Sequence, residues 1–238
     1  MAYKSRSSVI TVNGRTWWIN SKVSGIYTTM MKSMIGQLDA MLSHHSRIHV
    51  VRFDLRQYEY MATNKRMTDF NARLIKWLKA RYGLKRVGYM WVREQEKKKH
   101  QHYHYALILD GHKVKHPSAV LDKVREIWEH MDGSDWRPKN CYYNVKRDDV
   151  ESLQAAIWRV SYLAKGRGKG YKPAQTKNYG TSRVKKIIGM RSISLKNNHV
   201  WGIIKTNIFG DENYDPTSGP AVRREILQER FSGIAGST

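Results

Sequence analysis

Cysteine is almost missing from this chain: Cys141 is the only one among 238 residues. That excludes an internal disulfide and a cysteine-rich zinc module, and it leads us to expect a reducing, cytoplasmic compartment. Long apolar runs are missing as well. No stretch approaches the ~18 residues of a membrane span, and no apolar segment of signal-peptide type stands near the N-terminus. No Gly-x-x-x-x-Gly-Lys-Ser/Thr loop occurs, so a nucleotide-binding P-loop is not expected. Acidic residues are scarce. Asp and Glu number 20 against 43 Lys and Arg, a formal charge of +23. That excess is larger than solubility requires and points to a polyanionic partner, with nucleic acid ahead of a membrane surface. What is present suffices for a core, since 40% of the residues are hydrophobic, which sets the chain apart from disordered polycations.

The apolar periodicity divides the chain into an N-terminal hairpin-helix extension (1–47), a central domain (48–170) and a basic C-terminal extension (171–238) with a loose tail. Residues 9–12 and 15–19 flank Asn13-Gly14, the dipeptide of a type I′ hairpin turn. Ile26, Met30, Met34, Leu38 and Met41 recur at helical spacing over 24–43. In the centre, a strand at 49–55 precedes a helix capped by Thr68 or Asp69 and ended by Gly83. Strands at 87–93 and 102–109 follow, then a helix opening at Ser118 and a strand at 141–145. Strand, helix, strand, strand, helix, strand is the order of a ferredoxin-like, or split βαβ, fold. The expected class is therefore α+β, an antiparallel sheet with helices on one face. A further helix spans 149–165. Beyond it, a strand within 183–195 and a short helix at 220–231 are expected.

Chemistry concentrates on the 102–109 strand. Alternation with period two turns His102 and His104 to the same face, one pleat apart, where two imidazoles can share a metal ion. Two surface histidines at a strand end would be the plainer explanation. Glu94 ends the preceding strand and lies across the hairpin from the pair; Glu96 competes with it, because hairpin register is not fixed by sequence. His100 shares the parity but sits nearer the turn. Two imidazoles and a carboxylate leave positions for water and substrate, a set suited to Mg²⁺ or Mn²⁺ at a phosphate, with Zn²⁺ also open. Tyr162 lies off the apolar stripe of its helix, with Lys165 one turn on and on the same side. A phenol titrating near ~10 needs help to act as a nucleophile, and an adjacent ammonium favours the phenolate and neutralises a phosphate oxygen. The segment 166–170 reads either as a flexible basic contact for phosphates or as a charged linker.

These motifs carry a resemblance. His102-Tyr103-His104 resembles the His-hydrophobic-His motif of the HUH endonuclease superfamily, Val51-Arg52-Phe53-Asp54-Leu55 its first-strand motif, and Tyr162-Leu163-Ala164-Lys165 its Tyr-x-x-Lys helix. The wording Trp91-Val92-Arg93-Glu94 and Arg159-Val160-Ser161-Tyr162 is similar to the replication proteins of filamentous phages and related prophages. The resemblance covers about 48–170 and implies metal ligation by His102, His104 and Glu94, with Tyr162 as nucleophile. It implies nicking and rejoining of single-stranded origin DNA through a 5′-phosphotyrosine, leaving a 3′-hydroxyl that primes rolling-circle replication without ATP. A host helicase or polymerase would be a further partner. Position 158 is Trp, so a second tyrosine one turn earlier is absent. Two other readings stand beside this one. One is a non-catalytic nucleic-acid-binding module, although no Lys/Arg-Gly-Phe-type sheet motif is present. The other is a mobilisation relaxase, which usually places its tyrosine before the histidine pair.

Overall fold

Asn13 and Gly14 both adopt positive φ, 51° and 73°, as a two-residue type I′ turn requires. The turn joins two strands of a hairpin, β2 (Val9–Val12) and β3 (Arg15–Trp18), and this hairpin is enclosed by a second antiparallel pair, β1 (Lys4–Ser5) and β4 (Ile26–Tyr27). Helix α1 (Thr28–His44) begins later than the apolar spacing predicts, because Ile26 and Tyr27 are drawn into the pairing with Lys4 and Ser5. These features come from the computed structural model of the chain, in which residues 3–95, 101–169 and 172–187 are described.

The central elements follow in the predicted order: β5 (Arg47–Gln57), α2 (Lys65–Tyr82), β6 (Gly88–Glu94), β7 (His102–Asp110) and α3 (Ser118–Glu129). Then come β8 (Gly133–Trp136), β9 (Tyr142–Lys146), α4 (Val150–Ser161), a 3₁₀ turn at Tyr162–Ala164, and β10 (Tyr179–Thr181). Helix α2 starts a turn before Thr68. Its cap position, Asn64, uses its side chain elsewhere: the amide donates to the Lys177 carbonyl, and the amide oxygen accepts from the Tyr103 hydroxyl. Gly83 ends the helix in the left-handed conformation, as its position suggests.

The fold is α+β, with a six-stranded sheet and four helices among the described residues. Its strands run β10-β6-β7-β5, and the far edge of β5 is shared, with β9 along 47–51 and β8 along 54–57. Every pairing is antiparallel. Strand β8 is absent from the sequence reading because Gly133-Ser134-Asp135-Trp136 has no apolar alternation. Strand β10 lies before the 183–195 stretch where a strand is expected, since Tyr179–Thr181 is the segment that meets the free edge of β6. Positions 188–195 of that expected strand, the expected helix at 220–231 and the tail lie outside the described residues.

Helices cover both faces of the sheet, which corrects the expectation of helices on one face. On one side, α2 and α3 pack against the odd-numbered side chains of β5 and β7. Phe53 stacks on Tyr105 at 4.8 Å, and Phe70 meets Tyr105 and Trp128 edge-on. On the other side, α1 and α4 supply a second buried set that includes Met30, Met34, Ile35, Met41, Ile157 and Val160. The approach of α1 is close enough that a Cβ on Gly88 of β6 would meet Met41. The hairpin is fastened to α4 by Gln154, whose buried amide accepts from the Trp18 N–H and donates to the Trp18 carbonyl, both at 3.0 Å. No described helix is long and apolar enough to cross a membrane.

Candidate metal centre

Register decides which side chains meet. In the β6–β7 hairpin, Glu94 pairs with His102 and Val92 with His104; across β5, His104 pairs with Asp54, and Asp54 in turn with Trp136 of β8. Residues directly opposite one another in an antiparallel sheet point to the same face. His104, Asp54 and Trp136 therefore form one row on the side of the sheet away from α2 and α3. Glu94 stands beside the two histidines, as the sequence predicts. Its competitor Glu96, and His100, lie outside the described residues.

Glu94 Oε2 is 2.5 Å from His104 Nε2 and 3.5 Å from His102 Nε2. The ligand atoms of these three residues all lie within 4.8 Å of one another. His104 is only 4% exposed, and its other nitrogen, Nδ1, is 2.8 Å from Asp54 Oδ1. Arg52 holds Asp54 in turn, with its guanidinium 3.1 Å from Oδ1. A carboxylate behind a histidine fixes the tautomer and leaves Nε2 free to ligate. The donor set thus fits a divalent cation: two imidazoles, one carboxylate, and a second carboxylate that orients one of the imidazoles.

The electrostatics follow from this packing. Burial raises the Glu94 carboxyl, but hydrogen bonds from His102 and His104 and the charge of Lys169 outweigh it and hold the group well below the usual carboxylate range. Asp54 behaves likewise: burial works upward, and the bonds and charge of His104 and Arg52 bring it below its ordinary value. For His104 burial works downward, yet its two carboxylate partners raise it above the ordinary histidine value. The two carboxylates flanking His104 thus favour its charged form, against the opposing effect of burial.

Tyr162 and Lys165 arrive from the other side. The expected helix over 149–165 stops at Ser161 and tightens into the 3₁₀ turn, and Lys165 follows as its cap. The turn carries Tyr162 onto the candidate metal centre: its ring meets the His104 ring edge-on at 5.4 Å, and it remains 42% exposed. The Lys165 ammonium lies 5.2 Å from the Tyr162 ring centre, and the Arg52 guanidinium 5.1 Å. Burial lowers the Lys165 amine, with the charge of Lys22 acting in the same direction. The sheet and the last turn of α4 thus bring together all five residues singled out in the sequence.

The structure adds participants that spacing did not reveal. Asp54 and Arg52 sit in a strand that reads as core, although the alternation Arg52, Asp54, Arg56 against Val51, Phe53, Leu55 was a usable signal. Gly168, at φ 66°, lies against Glu94, and its carbonyl accepts from the Gln95 N–H at 2.9 Å. A Cβ at this position would collide with Cγ of Glu94. Lys169 is buried, donates to the Lys165 carbonyl, and is brought down by burial to about 8 despite the nearby Glu94. The segment 166–169 is therefore packed against a candidate ligand, unlike a free linker.

Comparison with curated proteins and with solved structures gives no significant match. The family description of the YagK/YfjJ C-terminal domain matches residues 13–182, a span that begins in the hairpin turn and takes in β3, the whole six-stranded sheet, the candidate metal centre and Tyr162, and on that match the chain belongs to this family.

Proposed function

We propose that the protein is a metal-dependent DNA nickase and rejoining enzyme of the HUH type, cutting single-stranded origin DNA to initiate rolling-circle replication of a phage or plasmid. The observation that carries this reading is the double contact of His104, which meets Glu94 on its Nε2 side and the ring of Tyr162 on its edge. A candidate nucleophile thus adjoins a candidate metal centre. The strand order β6-β7-β5-β9 within the sheet supports the ferredoxin-like reading, and the +23 charge supports a DNA partner.

In this reading Glu94, His102 and His104 would hold Mg²⁺ or Mn²⁺, which when bound would supply positive charge for the scissile phosphate and the departing oxygen. The Tyr162 oxygen attacks phosphorus, forming a tyrosine–phosphate bond as the bond to the 3′ oxygen breaks. The phenolic proton is given up to solvent, and the departing oxygen is protonated to a 3′-hydroxyl. Lys165 and Arg52 place positive charge where the phosphate arrives. Rejoining is the same exchange reversed, so the phosphotyrosine conserves the energy of the cut bond.

The test is Mn²⁺-dependent cleavage of single-stranded DNA, with the adduct trapped on a denaturing gel and mapped to a peptide. Tyr162→Phe is expected to abolish the adduct while keeping Mn²⁺ binding. An adduct that persists in Tyr162→Phe, or that maps to Tyr142 or Tyr143, overturns the assignment.

A further inference from the structure

Away from the metal centre, a groove of about 1010 Å³ runs between α2 and the edge strand β10. Its charged lining is of one sign. Lys79, Lys85, Arg86, Lys177, Arg183 and Lys185 face it, and no Asp or Glu does. In a chain with 43 basic and 20 acidic residues, six cations drawn at random would bring about three carboxylates with them, so the segregation is a feature of this place. All six side chains are exposed, and none is paired with a carboxylate among the described residues. Such a concentration costs stability by mutual repulsion unless an anion relieves it.

The floor of the groove is aromatic and polar. Tyr89 and Trp91 of β6 line it, with Asn71 of α2 beside them. By alternation along β6, these odd-numbered residues face away from Glu94, so the groove opens on the opposite face of the sheet from the metal centre. The walls come from distant parts of the sequence, α2 with the loop after it and the segment 177–185, and they are fastened together. The Asn64 side chain donates to the Lys177 carbonyl at 2.9 Å, and the Tyr89 N–H donates to the Ser182 hydroxyl at 3.0 Å. A groove of fixed width, cationic along its rim with rings in its floor, matches the sugar–phosphate backbone of a nucleic acid strand.

We infer that the groove between α2 and β10 is a second nucleic-acid-binding site, separate from the nicking centre, that grips the phosphate backbone. The inference deepens the reading of the protein as a DNA enzyme, but its test requires no cleavage. Binding of fluorescent single-stranded DNA, duplex DNA and RNA of equal length is measured in chelator, as a function of salt. The groove variant is Lys79→Gln, Lys85→Gln, Arg183→Gln; the control, Lys32→Gln, Lys115→Gln, Lys146→Gln, removes the same charge from exposed positions elsewhere. The groove variant is expected to bind at least one of the three probes roughly tenfold or more weakly. Its salt slope for single strands should shrink by about 2, near 0.7 for each phosphate that is no longer neutralised. The control should change severalfold less, and Lys79→Arg, Lys85→Arg with Arg183 kept should bind as the unaltered protein does. The probe most affected identifies the strand type. Equal weakening in groove variant and control, or no weakening in the groove variant for any probe, overturns the inference. Because the readout is binding without metal, failure to nick DNA would leave this result intact.

Discussion

The two faces of strand β7 illustrate a division of labour. Tyr103, Tyr105, Leu107 and Leu109 point toward α2 and α3 into a core of stacked and edge-on rings. His102 and His104, interleaved with them, point the other way toward Glu94, Asp54 and Tyr162. One nine-residue strand thus serves packing on one parity and, at its N-terminal end, a candidate metal site on the other. A site built on a strand whose back is locked in aromatic packing is held more precisely than one on a loop. The other face carries, at 102 and 104, groups that a purely apolar core would reject, while Ala106 and Ile108 farther along it are buried.

This contrast is sharpest where one face changes and the other does not. The largest effect is expected from His102→Ala. Cleavage should be lost altogether, with DNA affinity and melting temperature little changed, because His102 is the least buried of the three candidate ligands; cleavage assays, anisotropy and thermal unfolding measure the three quantities. Parallel loss of folding would break the comparison. The reciprocal change is Phe70→Ala on the packed face. It removes a ring that meets Phe53, Tyr105 and Trp128, and should cost about 3–5 kcal/mol in denaturant unfolding. Mn²⁺ affinity of the folded fraction should stay the same. Asp54→Asn tests the boundary between the faces: it keeps the shape but weakens the hold on His104, and Mn²⁺ affinity by calorimetry should fall by about 10–100-fold.

The smallest effect is a pH dependence. His104 is raised above its ordinary value, so its charged form contributes stability fully below that ordinary value, and the contribution is lost as pH rises through the raised one. Glu94 and Asp54 are depressed, and their contributions are present above the ordinary carboxylate range and lost as pH falls through the depressed values. Metal ligation needs a neutral His104. The rise in melting temperature on adding Mn²⁺ should therefore grow as pH rises from the ordinary histidine value, about 6.5, through the raised one, as the proton competes less. A rise that shrank with pH over that window would place the bound metal elsewhere.

Much of this was visible in the sequence for physical reasons. Strong periodicity marked β5, α2, β7 and α3, because each buries a full face, and the His-x-His spacing needed only the pleat of a strand to become a shared site. The misses were elements whose existence depends on a distant partner. Strand β10 forms because β6 has a free edge to fill, and β8 because Trp128 and the end of β5 offer one: the Trp128 indole donates to the Arg56 carbonyl beside it. Neither leaves a local pattern. Asp54 was passed over because a charged residue in a buried strand gains its meaning only from the residue across the sheet. The tightening of α4 before Tyr162 was equally unreadable, since Lys165 is drawn to Ile26 by a backbone bridge.

The row Val92, His104, Asp54, Trp136 crosses four strands in unbroken register. Slipping β6 or β7 by one residue turns its side chains to the opposite face, and the candidate ligand cluster then ceases to exist even if the sheet still forms. Under the proposed nicking function, misassembled copies would be inert: competence to break DNA would be withheld until these strands are in register, and the register of the sheet would act as a safety catch.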